Sequence, residues 1–412
     1  MVNTERKKST PIPIPTPTPT PKEAVTGNRQ PPAGGDGIPR LRRDVRGSAV
    51  WDAKECRQTL RLITMNSVTQ AQAVAVGMSG GVDSSVAAAL LKGETRQLIS
   101  VIMNIGCGAD AVADAKKVAR QMGIPHYVMD FSGVFAERVI ADFCREYSLG
   151  RTPNPCTACN RHIKFGLLMD RVLETGAEYM ATGHYARIEP APNGYRLLKA
   201  TDENKDQTYF LYTLGQRQLE HLLLPLGGLS KEKVKNIAGE LGLPAVSRSE
   251  SQDICFIPGN DYRAFISQHI SFQPGDIIDI KGKVLGRHDG LAKYTVGQRQ
   301  GLGGLTSDEP LYVIELDAAH NRLVVGSRDQ LLHSVLLASE LSWVSGKAPA
   351  GPIDIMAKVR YKAPEVAAEL YFDNGAEIRF IEPQQAIAPG QSVVFYQEDA
   401  VLGGGIIDAV LH

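Results

Sequence analysis

The sequence predicts an α/β protein in which a doubly wound parallel sheet is followed by a small central domain and a C-terminal β-barrel. Three observations carry that expectation. Strand-type apolar runs alternate with helically spaced ones between residues 73 and 175, the order of a parallel sheet with crossover helices. The first strand turns into the first helix through glycines and serines. From Pro274 onward the texture changes to short β-rich runs at turn spacing, as in small all-β domains.

The pivotal stretch is Ser79-Gly80-Gly81-Val82-Asp83-Ser84-Ser85, between an apolar run at 73–76 and a helical one at 86–91. Such a turn presents backbone N–H groups at the positive end of a helix dipole, a geometry that holds phosphate. Gly80 and Gly81 allow close backbone approach, and Ser79, Ser84 and Ser85 add hydroxyl donors. Asp83 would repel a bare phosphate, so it either caps the helix or takes an intervening Mg²⁺. A Walker loop requires a lysine before its Ser/Thr, and the dinucleotide fingerprint requires separated glycines; neither pattern is here. SGGVDSS resembles the PP-loop of the ATP pyrophosphatases, which adenylylate a substrate and release pyrophosphate. The bland alternative is a serine-glycine turn.

At 412 residues there is room for two or three domains. The zero net charge conceals an asymmetry: residues 1–70 hold twelve Lys/Arg against six Asp/Glu. An RNA ligand would therefore meet local basic patches on a mildly acidic body. Proline at every second position from Pro11 to Pro21 predicts an extended, disordered tail over 1–48, with an RNA-gathering arm as its other reading. Residues 51–62 are helix-like, and Met65 stands beside Met1 as a possible start. With no signal-peptide core and no run of transmembrane length, a cytoplasmic location is expected.

In chain order, 98–103 and 126–129 read as the second and third strands, and 109–122 and 134–147 as helices. Ligands sit at carboxyl ends in such sheets, so Met103 either packs on an adenine or is plain core. Next, two prolines keep 151–155 out of a helix, and Cys156 and Cys159 lie near the start of a helical run at 161–175. A thiol at a helix N-terminus has a lowered pKa. The pair can be a redox couple, half a metal site or two unrelated thiols. Cys56, Cys107, Cys144 and Cys255 supply no second C-x-x-C, so tetrahedral zinc is not expected. Gly183, after a strand at 179–180, would let the backbone approach a nucleotide; His184 either donates to phosphate or base or is a satisfied loop histidine. Lys205-Asp206-Gln207 opens a helical stretch ending near Pro225, and 231–242 is an amphipathic helix. From its neighbours alone, Cys255 reads as structural. The later strands are expected at 277–280, 294–296, 311–316, 322–325, 355–359, 368–372 and 392–395, with turns at Pro389-Gly390 and Gly403-Gly404-Gly405. The segment 294–304 either meets a backbone phosphate or forms a loop.

Seven segments taken together resemble the tRNA-specific 2-thiouridylase family over residues 70–412. They are GMSGGVDSS (77–85), GRTPNPCTACNRHIKFG (150–166), ATGHYARI (181–188), NKDQTYFLYTL (204–214), SQDICFI (251–257), HDGLAKYTVGQRQGLG (288–303) and PGQSVVFY (389–396). The resemblance implies a HUP-like PP-loop catalytic domain at 70–273, a small central domain at 274–335 and a barrel at 336–412, the last two holding the anticodon arm of tRNA. It implies ATP binding by Gly77, Met78, Ser79, Gly80, Gly81, Val82, Asp83 and Ser84, with Met103 and Gly183 lining the pocket. Cys159 takes the place of the nucleophilic cysteine and Cys255 that of the persulfide carrier. Asn154, Pro155 and Cys156 occupy the target-base loop. His184, Lys205, Asp206, Gln207, Arg360, Tyr361 and Gln391 fall where the family contacts tRNA.

The implied reaction converts the C2 oxygen of the wobble uridine to an adenylate, aided by Mg²⁺, and then attacks C2 with a Cys255 persulfide supplied by a cysteine desulfurase or sulfur relay protein. Cys159 either closes a disulfide with Cys255 or attacks as a thiolate. The base is turned out of its stack to reach the site. Two departures stand out. Cys156 replaces the aspartate of many members; it is either a mere neighbour or completes the three-thiol set Cys156, Cys159 and Cys255, as in related thiolases that hold a [4Fe-4S] cluster. The segment after Met103 is short and lacks the acidic insert and tryptophan, of which Cys107 is a remnant. The competing classes are a PP-loop small-molecule synthetase, which needs neither the cysteines nor the barrel, and an RNA-binding module, which needs no phosphate loop.

Overall fold

The structure, a computed structural model, describes residues 73–243, 254–302, 305, 309–372 and 375–411, together with the backbone of a two-rung antiparallel ladder, Arg42–Arg43 against Ala49–Val50. The rest of the tail, the helix-like 51–62, residues 251–253 of the SQDICFI segment and Gly303-Gly304 lie outside the described residues.

The first half runs β1 (Ala73–Gly77), α1 (Val82–Leu91), β2 (Gln97–Asn104), α2 (Ala109–Met122) and β3 (His126–Asp130). Two long helices follow, each wound more widely within: α3 joins Ser132–Phe135, Ala136–Ile140 and Ala141–Ser148, and α4 joins Pro155–Ala158, Cys159–Leu168 and Met169–Glu174. Next come β4 (Tyr179–Thr182), a hairpin of β5 (Arg187–Ala191) and β6 (Gly194–Leu198), α5 (Gln216–Glu220), β7 (Leu222–Leu223), α6 (Lys231–Glu240) and α7 (Tyr262–Ser267). The parallel sheet has the order β3-β2-β1-β4-β7. Val74 and Val76 pack into one core with α1, α2 and α6, while Ala75 faces the other with α3 and α4. Burial on both faces explains why β1 reads as an unbroken apolar run. The chain steps outward from β1 to β3 and then crosses to β4, so the carboxyl end of β1 is the switch point where such sheets bind ligands.

The expected helix from Lys205 to Pro225 is replaced by turns and a short 3-10 turn, Thr208–Phe210, before α5. Tyr209, Leu211, Tyr212 and Leu214 are all buried, and the Tyr209 hydroxyl donates to the Ser392 carbonyl at 2.8 Å. The spacing 209, 211, 212 and 214 is wider than one helical stripe, and all four join the core that Val394 and Tyr396 of the barrel share.

The central sheet pairs β8 (Gly275–Asp279), β9 (Val284–His288), β10 (Tyr312–Asp317) and β11 (Arg322–Gly326) in the order β9-β8-β11-β10. Residues 294–296 are not a strand. Gly297, at φ +85°, turns the chain there and donates its N–H to the Val313 carbonyl. The barrel uses β12 (Leu332–Trp343), β13 (Ile353–Lys358), β14 (Val366–Phe372), β15 (Ala376–Gln385), β16 (Ser392–Gln397) and β17 (Ala400–Leu411), closed by pairing of β12 with β17. Gly403-Gly404-Gly405 lies inside β17, not in a turn. A Cβ on Gly404 would stand 2.5 Å from the Val393 carbonyl oxygen and 2.7 Å from the Tyr212 ring, so these glycines permit close packing. The hairpin β5–β6 extends the barrel sheet, with Leu198 opposite Ala400.

Candidate active site at a cleft lined by cysteines

The loop after β1 is held by its own hydroxyls. Ser84 Oγ donates to the Gly81 carbonyl at 3.1 Å and accepts the Ser79 N–H at 3.1 Å, and Ser85 Oγ donates to the same carbonyl at 2.8 Å. Gly80, at φ +75°, passes so close to α2 that a Cβ would lie 2.9 Å from the Ala111 carbonyl oxygen. Gly81 is the N-cap and offers no side chain. The first-turn N–H groups of Val82, Asp83 and Ser84 therefore have no intrahelical acceptor and face outward at the positive end of α1.

Asp83 does not cap α1 with its side chain, since Gly81 is the N-cap. Its Oδ1 accepts the Tyr185 hydroxyl at 2.7 Å, and both its oxygens accept Lys231 Nζ at 2.7 Å. The carboxylate is paired with a lysine from α6. Gly183 lines the smaller cavity and is also needed for packing. A Cβ there would stand 2.7 Å from the Asp83 carbonyl carbon and the Ser84 nitrogen, so its bareness lets the end of β4 press against the first turn of α1.

Two adjoining cavities open at this rim. One, of about 410 Å³, includes Gly77, Met78, Ser79, Ser84, Met103 and Gly183 in its wall; Gly80, Gly81 and Val82 form the turn beside it. The other, of about 770 Å³, is lined in part by Pro155, Cys156, Lys205, Asp206 and Tyr361. Asp83, Cys159, Lys164, His184, Gln207 and Cys255 line both. The two cysteines singled out by the sequence thus sit where the cavities meet, although they are nearly a hundred positions apart.

The helix carrying Cys156 and Cys159 starts at Pro155, earlier than expected. Asn154 is its N-cap, its Oδ1 accepting the N–H groups of Cys156 (3.2 Å) and Thr157 (3.3 Å), and proline suits the first position. Position at a helix start does not lower these thiols. Burial pushes Cys156 and Cys159 up, and burial together with the neighbouring Cys159, Cys156 and Cys107 pushes Cys255 up to about 12. Cys156 and Cys255 open onto the cleft, and the protein packed around them penalises the thiolate. The five described cysteines are all free thiols.

Lys164, which sequence reasoning passed over, opposes that rise at all three thiols. Its ammonium donates to Asn160 Oδ1 at 2.9 Å and to His184 Nε2 at 3.2 Å. His184 Nδ1 faces Thr182 Oγ1 at 2.8 Å, so the donor at Nε2 assigns a neutral ring with its proton on Nδ1. Burial first, and Lys164 second, hold His184 well below its ordinary value.

The remaining expected contacts divide. Tyr361 lines the larger cleft with its ring 4.5 Å from that of Phe210, and Gln207 Oε1 accepts the Tyr185 N–H at 2.9 Å. Asp206 is buried and accepts from the Ala200 N–H and the Thr208 hydroxyl, so its carboxylate holds a turn. Arg360 and Gln391 lie outside both linings. Arg360 donates to the Ala386 carbonyl, and Gln391 donates to the Thr152 carbonyl at 2.7 Å, tying the cysteine loop to the barrel.

An anion-binding turn at the switch point of a parallel sheet, opening beside paired thiols, defines an α/β enzyme of the ATP pyrophosphatase type. The chain matches the families described as tRNA methyl transferase HUP domain over residues 72–259, tRNA methyl transferase PRC-barrel domain over 263–327 and Aminomethyltransferase beta-barrel domain over 333–407. It is 46% identical to tRNA-specific 2-thiouridylase MnmA 2 of Thermoanaerobacter sp. (strain X514), covering 82% of this chain and 98% of that one. It is 47% identical to tRNA-specific 2-thiouridylase MnmA of Geotalea uraniireducens, covering 82% and 96%. A solved structure of the U34-tRNA thiolase NcsA from Methanococcus maripaludis with its [4Fe-4S] cluster is 20% identical, with a TM-score of 0.35 over 52% of this chain and 70% of that one. The chain belongs to the tRNA-specific 2-thiouridylase family. Among the described residues no helix is long and apolar enough to cross a membrane.

Proposed function

We propose that the chain replaces the C2 oxygen of the tRNA wobble uridine with sulfur, using ATP to activate the oxygen and a Cys255 persulfide as the sulfur source. The observation that carries this reading is the pair Cys159 and Cys255 in the shared wall of the two cavities. The smaller cavity suits ATP: the first-turn N–H groups of α1 would hold phosphate and Met103 would flank the adenine. The larger takes a base turned out of the anticodon stack, against Tyr361 and Phe210. The central sheet and barrel would grip the anticodon arm, and a sulfur-donor protein of the desulfurase or relay type would load Cys255 in the cytoplasm.

In this reading the uridine O2 attacks the α-phosphate and pyrophosphate leaves. The outer sulfur of the Cys255 persulfide attacks C2 and AMP departs, which leaves the base joined to Cys255 through a disulfide. Cys159 Sγ then attacks Cys255 Sγ; the bond to the base breaks, its electron pair stays on the 2-sulfur, and a Cys159–Cys255 disulfide remains for an external dithiol to reduce. Lys164, between the thiols and His184, favours the anionic sulfur at each stage.

The donor set bears on metals. Asp83 is engaged by Lys231 and Tyr185, so Mg²⁺ would come with the ATP phosphates, where it would shield the leaving charge. For a [4Fe-4S] cluster the chemistry of Cys156, Cys159 and Cys255 is right but the placement is not. Among the described residues no three His, Cys, Asp or Glu side chains converge to hold a metal ion, and no step is assigned to a cluster.

The test is to incubate wild type and Cys255→Ser with tRNA, labelled ATP and a persulfide donor, following pyrophosphate and 2-thiouridine. Wild type should make both, and Cys255→Ser should lose 2-thiouridine. Thiolation that survives in Cys255→Ser, or a wild type that binds tRNA and releases no pyrophosphate, overturns the proposal.

A further inference from the structure

Four described thiols border the two cavities. Cys156 belongs to the larger cleft alone, Cys159 and Cys255 to both cavities, and Cys107 to the smaller cavity alone. Neither the anion-binding turn nor the sulfur-transfer pair makes use of Cys107. Yet its S–H points at the Cys255 carbonyl oxygen, 3.9 Å away, across 148 positions of chain. It lies in the loop after β2, between Gly106 at φ +82° and Gly108 at φ +74°, two backbone conformations in which a side chain is strained. Gly106 donates its N–H to Asn104 Oδ1 at 3.2 Å, which anchors the loop to the end of β2 and holds the thiol over the cavity. Cys107 is half-buried, so one face is covered and the other open to the cavity.

We propose that Cys107 is a second resolving thiol for Cys255, approaching it from the nucleotide side while Cys159 approaches from the base side. The catalytic part of this inference rests on the sulfur-transfer reading above; the pairing of the two thiols does not. In the step itself Cys107 Sγ attacks Cys255 Sγ in the base–Cys255 disulfide. The sulfur–sulfur bond to the base breaks and its electron pair stays on the 2-sulfur. The proton lost by Cys107 is balanced by the one regained at the pyrimidine ring nitrogen. The product is a Cys107–Cys255 disulfide, which an external dithiol reduces. Burial keeps Cys107 protonated at rest, which suits a thiol that acts only after the nucleotide has vacated the cavity it lines.

The experiment has two arms, both on the full chain. In the first, the reduced protein alone is oxidised with one equivalent of diamide, alkylated and mapped without reduction. A Cys107–Cys255 peptide pair is expected in wild type and in Cys159→Ser, and its loss is expected in Cys107→Ser. Disulfides of Cys255 with Cys159 or Cys156 only, or no disulfide at Cys255, overturn the proposal. In the second arm, persulfide-loaded protein makes a single turnover with ATP and tRNA. Cys159→Ser should release 2-thiouridine more slowly than wild type, and the Cys107→Ser, Cys159→Ser double variant should retain the base covalently. Complete retention by Cys159→Ser alone overturns the resolving role. A positive first arm with no thiouridine from any protein would instead count against the sulfur-transfer reading and leave the thiol pairing intact.

Discussion

The Lys231 ammonium lies 2.7 Å from both carboxylate oxygens of Asp83, joining the first turn of α6 to the first turn of α1. Lys231 is only 8% exposed, while the Asp83 side chain is 31% exposed at the rim of both cavities. The lysine cancels the one acidic charge in a turn whose N–H groups would receive phosphate. Lys231→Met should leave that carboxylate uncompensated, costing about 3 kcal/mol in urea unfolding and weakening ATP binding measured by calorimetry. Unchanged stability and affinity would refute the arrangement.

Gly183→Ala places a methyl 2.7 Å from the Asp83–Ser84 peptide. Overpacking of this kind costs about 1–3 kcal/mol, and here the strain falls on the start of α1. ATP affinity should drop while tRNA affinity, measured by filter binding, stays close to wild type.

His184 gives a pH dependence of known sign. Its folded pKa is held below the ordinary 6.5 by burial and then by Lys164. Below 6.5 the unfolded chain takes up a proton that the folded chain refuses, so this contribution is complete above 6.5 and stability falls as pH drops beneath it. The slope reaches about 1.4 kcal/mol per pH unit. His184→Gln should flatten the slope in urea titrations between pH 7.5 and 5.

Lys164→Met removes the ammonium that draws Cys156, Cys159 and Cys255 downward. Iodoacetamide alkylation of Cys159, followed by peptide mass spectrometry, should slow near pH 8 and its profile should move to higher pH. Lys164→Arg should restore most of the rate; equal profiles for wild type and Lys164→Met would remove the lysine from the account.

Much of the site was legible because its chemistry is local. The glycine-serine turn and the Cys156–Cys159 pair each lie within a few residues, where spacing and residue type speak for themselves; the Asn154 cap was missed because the two prolines read as helix-breaking. What else escaped was non-local or irregularly wound. Asp83 and Lys231 are 148 positions apart, so a sequence reader sees an acid in a phosphate loop and reaches for a cap or a metal. Lys164 is five residues beyond Cys159, which an ordinary helix would carry about 140° around the axis. The wider π-type turns of Cys159–Leu168 bring the fifth residue back toward the same face. In the barrel, β12 and β17 are interrupted by register shifts, and the glycines of β17 look like a turn until the crowding around them is seen. The thiol pKa values went astray for a similar reason: helix position can be read from sequence, whereas the amount of protein packed around a sulfur cannot.

The hairpin β5–β6 belongs by position to the nucleotide half and by hydrogen bonding to the barrel. Arg187 reaches Asp399 at 3.1 Å and Lys199 reaches Glu365 at 2.7 Å, on either side of the Leu198–Ala400 rung. A protein ending before β12 would uncover a strand margin at β6, strip Lys199 of Glu365 and leave Arg187 with Glu189 alone. Such margins recruit other chains. The C-terminal barrel therefore works as a sheath for the front half, and a truncated fragment should clump in solution before its chemistry could be assayed.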